Sequence, residues 1–215
     1  MSTNTQLALA GLEIEKLPSL PHILVKMLEV CQDANADFQE ISRIVAQDAI
    51  ITARVLVMAN SPSYSFAVSV NTLERAVLVL GIDTLKTLII TVAVQQFFAN
   101  FSKQQGAYLK CFWTQSLSCA LLSKSFAALT NFAQPEQAYL AGLLHNVASL
   151  VLQSQFPERY HRMLDVMANS GELDIVQAEM GEFGVNHCNL GAELLALWGL
   201  DQFTCDAVRC HHESL

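Results

Sequence analysis

Charge is scarce in this chain. Only 15% of its 215 residues are charged, and the 12 basic residues are outnumbered by 20 acidic ones, for a net charge of -8. A general nucleic-acid surface neutralises phosphates with clustered Lys and Arg. Scattered cations on an acidic chain exclude such a surface, so no nucleic-acid partner is expected. Phosphate loops are missing too: the nine glycines are dispersed, and none forms GxxxxGK or GxGxxG. Ser61, Ser116 and Ser149 lack the GxSxG setting of a nucleophile elbow. Cys31, Cys111, Cys119, Cys188, Cys205 and Cys210 show no CxxC spacing. They are expected to be reduced core residues, neither a zinc site nor a disulfide framework. Met1 to Gln6 is polar, without a basic region leading into an apolar one, so no secretory signal is expected and the cytoplasm is the expected compartment. The most apolar run, Leu85 to Phe98, is broken by Lys86, Gln95 and Gln96. It falls short of the roughly 20 residues a membrane span needs and reads as a core helix.

What the chain has in abundance is apolar surface, 52% of residues, at helical spacing. No segment alternates cleanly with period two, so the expected fold is all-α with about eleven helices. Pro18 and Pro21 introduce a helix with Ile23, Leu24, Met27, Leu28 and Cys31 on one face. Asp37 with Glu40, and Asn71 with Glu74, have the spacing of capping boxes, while Asp48 starts another helix that ends at Ser61-Pro62-Ser63. Gly81 stands where a left-handed C-cap belongs, and Asp83 opens the long apolar helix to about Phe101. Ser102 to Gly106, polar and glycine-terminated, is the best candidate boundary. Two packed bundles are therefore expected, residues 17–101 and 107–215. In the second, Pro135 and Pro157 stand at first helical positions, Asp174, Asn186 and Asp201 at caps, and Gly171, Gly184 and Gly199 at helix ends.

Phe38 to Ala59 has the outline of a helix-turn-helix. A DNA-reading second helix exposes Arg, Lys, Asn or Gln, whereas this one offers Arg54 amid Ile50, Ile51, Ala53, Val55, Leu56 and Val57. Packing is the better reading, and a DNA-binding regulator is the weakest of three functional readings.

The chemistry concentrates in Ala141-Gly142-Leu143-Leu144-His145-Asn146, followed by His187 and the pair His211-His212. The first stretch resembles the Gly-Leu-Leu-His-Asp signature of the HD superfamily of metal-dependent phosphohydrolases. Further elements appear in a telling order: Leu17-Pro18-Ser19-Leu20-Pro21, Met58-Ala59-Asn60-Ser61, Ala76 to Gly81, Phe112-Trp113 with Ser116, Glu179 to His187, and Leu195 to Trp198. Together they resemble the HDOD family, the HD-related output domains of bacterial signalling proteins, over nearly the whole chain. Because members of that family usually continue through further helices, a C-terminal truncation is expected.

The resemblance implies that the second bundle is HD-like and that its metal positions fall on Gln115, on His145 and Asn146, on His187, and on His211 and His212. The first His is replaced by Gln115, and the metal-binding Asp by Asn146. An amide is neutral, and its one carbonyl oxygen cannot offset a dication's charge. The nearby carboxylates Glu179, Glu182, Glu193 and Glu213 could substitute, but nothing in the sequence aims them inward. Imidazoles alone suit a soft or borderline ion, so a divalent metal at the histidine cluster is a minor expectation and no cofactor the main one. A His on an apolar helix is also more often hydrogen-bonded in a core than bound to metal. Cys210 beside His211 is poorly placed as nucleophile and base, since helix neighbours point about 100 degrees apart. Trp113 and Trp198 read as core. The expected function is thus a non-catalytic signal-transduction module with protein or ligand partners and no membrane association. The alternative is a metal-dependent phosphohydrolase or cyclic-dinucleotide phosphodiesterase.

Overall fold

The computed structural model describes residues 22–32, 37–61, 69–99, 106–171 and 174–213, and among these there is no strand. The helices are α1 (His22–Gln32), α2 (Phe38–Val45), α3 (Ala49–Ala59), α4 (Leu73–Leu80), α5 (Ile82–Ala99) and α6 (Gly106–Leu129). They continue as α7 (Pro135–Leu144), α8 (Val147–Gln155), α9 (Pro157–Ser170), α10 (Ile175–Phe183), α11 (His187–Leu197) and α12 (Gln202–Cys210). The expected all-α class is what the chain adopts. No helix among the described residues is long and apolar enough to cross a membrane. The Leu17–Pro21 element, Ser63, Phe101 and Ser102–Gln105 lie outside the described residues.

The described residues divide into two compact units, 20–113 and 114–215, with the division falling inside α6. In the first, α5 is the central element, packed by α1, α3 and α4. Its Leu85, Leu88, Ile89, Ile90, Val92 and Val94 are buried. Capping explains the entries into its partners. Asp37 accepts from the Glu40 N–H at 2.8 Å, and Asp48 from Ile50 and Ile51 at 2.9 and 3.0 Å. Around Asn71 the expectation needs correction: Thr72 is the N-cap of α4, accepting from the Arg75 N–H. Both residue types cap well, and only the turn decides which of the two faces the helix. Asp83 sits inside the first turn of α5 and does not cap it. Gly81 has the positive φ of 79° that its position required, although its ψ of 161° is not left-handed helical. Asn60 closes the far end of α3, where its side chain accepts from the Val70 N–H at 2.8 Å and donates to the Leu56 carbonyl at 2.7 Å.

The second unit holds the functional residues. Its α11 packs on α12 and α8, and α12 packs in turn on α7. Ala148, Leu152, Tyr160, Met163, Phe183, Val185 and Leu190 form a core cluster beneath them. Gly142 lets α7 approach α6: a Cβ there would lie 2.8 Å from the Ala120 Cα and 2.9 Å from its N. The caps are those the sequence marks, with Asp174, Asn186 and Asp201 each accepting an N–H three residues on. Gly171 and Gly184 are left-handed. The cysteines need a correction. Cys188 and Cys205 are buried, but Cys111 and Cys210 are exposed and Cys119 is half-buried.

Candidate functional site

His145 does not lie within a helix. α7 ends at Leu144, and His145 and Asn146 form a turn before α8 begins at Val147. The His145 Nδ1–H donates to the Gly142 carbonyl at 2.8 Å, one of the last-turn acceptors left without a helical partner. That bond leaves Nε2 as the free face of the ring. His187 is the first residue of α11, and His211 and His212 follow the last turn of α12.

These separate elements bring the rings together. His145 lies edge-on to His211 with centroids 5.1 Å apart, and His187 is 5.1 Å from both His211 and His212. His187 Nε2 lies 3.2 Å from His211 Nε2, which is itself 3.3 Å from Asn146 Oδ1. Gln115, His145, Asn146, His211 and His212 line one cavity of about 490 Å³. Its wall is completed by Cys119, Ser123 and Gly142. Of the six residues on the family's metal positions, five line this cavity, and His187 lies behind it against His211. Gln115 is exposed at its margin.

One participant was not legible beforehand. Glu179, weighed only as a substitute ligand, is completely buried. Its Oε2 accepts from the backbone N–H of His187 at 2.7 Å and from His187 Nδ1 at 2.6 Å, while its Oε1 accepts from the Tyr160 hydroxyl at 3.0 Å. The other candidates go elsewhere, Glu182 to Arg159 and Glu193 to Arg209. The signal available in sequence was weak: a carboxylate on an otherwise mixed helix, one short loop before a histidine.

The charge distribution follows from these bonds. Burial opposes a charge on His187, but the hydrogen bonds to Cys188 and to Glu179, with the charge of Glu179, outweigh it and push its pKa up to about 9. His211 goes the other way. Burial pulls it down to about 4 against the Val208 carbonyl bond, and the neighbouring His187, His145 and His212 add to the effect. Burial also lowers His145. At neutral pH His187 therefore holds its proton against Glu179 while His211 beside it stays neutral. Asn146 suits a neutral His211, because an amide turned either way offers a donor or an acceptor. A carboxylate there would suit only a protonated ring.

A hard dication of the kind used by metal-dependent phosphohydrolases needs anionic oxygen donors. Here Asn146 is neutral, Gln115 is neutral, and Glu179 has both oxygens engaged. The residues do not fit that metal centre.

The chain as a whole is similar to known proteins. The family model of the HDOD domain matches residues 17–214. A crystal structure of an HDOD domain protein of unknown function from Geobacter sulfurreducens superposes with a TM-score of 0.81 at 30% identity, covering 99% of this chain and 71% of that one. A candidate signal transduction protein from Marinobacter aquaeolei gives 0.83 at 26% identity, covering 98% and 50%. Among curated proteins, the cyclic di-GMP phosphodiesterase CdgJ of Vibrio cholerae is 27% identical over 140 residues, which are 64% of this chain and 31% of that protein. An uncharacterised Treponema pallidum protein is 22% identical over 93% of this chain and 38% of its own length. The chain spans about a third of the curated relatives it matches.

Proposed function

Since the chain belongs to the HDOD domain family, we propose that it is a signal-transduction module of the bacterial cytoplasm that acts by binding and not by catalysis. The observation that carries this reading is the amide in this pocket. Asn146 stands at the position of the metal-binding carboxylate, and the one fully buried carboxylate beside the rings, Glu179, is consumed by His187 and Tyr160. A hydrolase of this superfamily polarises a phosphoester and activates water through its metal, and neither Asn146 nor Gln115 offers the anionic oxygen such a metal needs. The pocket instead keeps a shape: neutral imidazoles fixed by carbonyls, walled by the tight contact at Gly142.

A protein partner is the second part of the proposal. Leu122, Phe126 and Leu129 stand 58%, 62% and 77% exposed along α6, and large exposed apolar side chains at helical spacing mark contact surfaces. A phosphodiesterase reading has in its favour the name of one relative, of which the matched region is 31%. The test is hydrolysis of a generic phosphodiester and of cyclic di-GMP with Mn²⁺, Mg²⁺ or Ni²⁺ added. No turnover above background is expected. Turnover that disappears in His145→Ala refutes the binding reading.

A further inference from the structure

We propose that His187, Cys188, His211 and His212 form a mononuclear site for a borderline divalent ion of the zinc class. The proposal is independent of whether the pocket binds or hydrolyses anything. It rests on a donor set that leaves out both residues of the His145-Asn146 pair and brings in a thiol. One ligand atom from each of the four residues lies within 4.8 Å of all the others. Two edges of the polyhedron already have tetrahedral length. With zinc–nitrogen bonds of about 2.05 Å and a zinc–sulfur bond of about 2.3 Å, the ideal edges are about 3.35 Å between nitrogens and about 3.55 Å between nitrogen and sulfur. His187 Nε2 and His211 Nε2 are 3.2 Å apart, and Cys188 Sγ is 3.6 Å from His187 Nε2. The remaining edges lie within 4.8 Å, and His212, the most exposed of the four at the end of α12, completes the set.

The outer partners are those a metal-bound imidazole needs. A ligating histidine gives its other N–H to a carboxylate or carbonyl, which fixes the ring and sharpens the donor. His187 Nδ1 meets Glu179 at 2.6 Å, and His211 Nδ1 meets the Val208 carbonyl at 2.7 Å. Both therefore present Nε2 to the same point. Glu179 is held in its turn by Tyr160. Three nitrogens and a sulfur select zinc, cobalt or nickel over magnesium, calcium or manganese. Cys188 supplies the negative charge that Asn146 cannot. Loading displaces the Cys188 thiol proton and the proton on His187 Nε2, both released to solvent. A way in exists: Cys188 and His212 also line a groove of about 600 Å³ whose rim carries Asp174 and Glu213. Four protein ligands leave no open position, so the ion would tie the start of α11 to the chain beyond α12 and do no chemistry.

The test uses the whole chain, stripped with a chelator and titrated with Co²⁺ and then Zn²⁺. The expected result is one ion per chain and tetrahedral cobalt bands, with a thiolate-to-cobalt charge-transfer band that zinc abolishes. Cys188→Ser should remove the charge-transfer band and weaken zinc about tenfold or more. His212→Ala alters an exposed residue and so keeps the fold; it should weaken zinc similarly, while His161→Ala, at an exposed histidine outside the cluster, leaves both readouts unchanged. Absence of stoichiometric binding, absence of the charge-transfer band, or zinc binding unchanged in His212→Ala overturns the proposal.

Discussion

The hydrogen bond between Glu179 and His187 makes stability depend on pH in a specific way. The folded-state value of His187 is about 9, above its ordinary 6.5, so its contribution is complete below pH 6.5 and is lost as the pH rises through 9. His211 is depressed to about 4. Its folded form refuses a proton that the unfolded chain accepts, so stability falls as the pH drops from 6.5 towards 4. Metal-free protein unfolded by urea across that range should therefore be most stable near pH 6.5. Glu179→Gln should flatten the alkaline limb, because the carboxylate that holds the His187 proton is gone, and leave the acid limb in place. An alkaline limb unchanged in Glu179→Gln contradicts the pairing. Residues were the most legible scale where chemistry repeats a pattern: His145, Asn146, His187, His211 and His212 were all marked by position. Glu179 was marked only as the start of a family segment and a substitute ligand; its bonds to Tyr160 and His187 come from burial against α9 and α11, and burial of a carboxylate has no sequence signature.

Caps and punctuation made most helices readable, since a side-chain acceptor three residues before an N–H is a local matter. Asp37, Asp48, Asp174, Asn186 and Asp201 all do what their spacing implies. The break between α7 and α8 is the instructive failure. His145-Asn146 has neither proline nor glycine, and the apolar spacing runs on through it; the helix stops because tertiary packing turns His145 back onto the Gly142 carbonyl. Gly142 is accordingly a position where helix propensity and packing conflict. Gly142→Ala should destabilise the protein by about 1–3 kcal/mol through overpacking against the α6 backbone. Gly181→Ala, in α10 with open space around its Cα, should stabilise it by about 0.5–1 kcal/mol through propensity alone. Urea denaturation of the two variants decides this, and equal effects of one sign would show that α7 does not sit tightly on α6.

At the scale of the molecule, scarce charge and helical periodicity sufficed for the all-α class, because burying so apolar a chain requires helix against helix. The division at residue 113, inside α6, had no local signal: a helix that serves two units is continuous in propensity, and only long-range packing divides it. Among the described residues of the second unit, the histidine pocket has the outline of a metal centre but an amide at Asn146 in it. On the proposed function, it is the missing carboxylate at Asn146 that makes this pocket unfit for a hard ion. Thermal melts of chelator-stripped protein with and without Mn²⁺ test it, comparing the native chain with Asn146→Asp. The new carboxylate would face His211 Nε2 at the 3.3 Å now spanned by the amide. The native melt should not respond to Mn²⁺. The variant should gain about 2.7 kcal/mol at a Mn²⁺ concentration 100 times its dissociation constant, without gaining turnover, since Gln115 remains. A native chain stabilised by Mn²⁺ as strongly as the variant, or a variant that does not respond, contradicts the account.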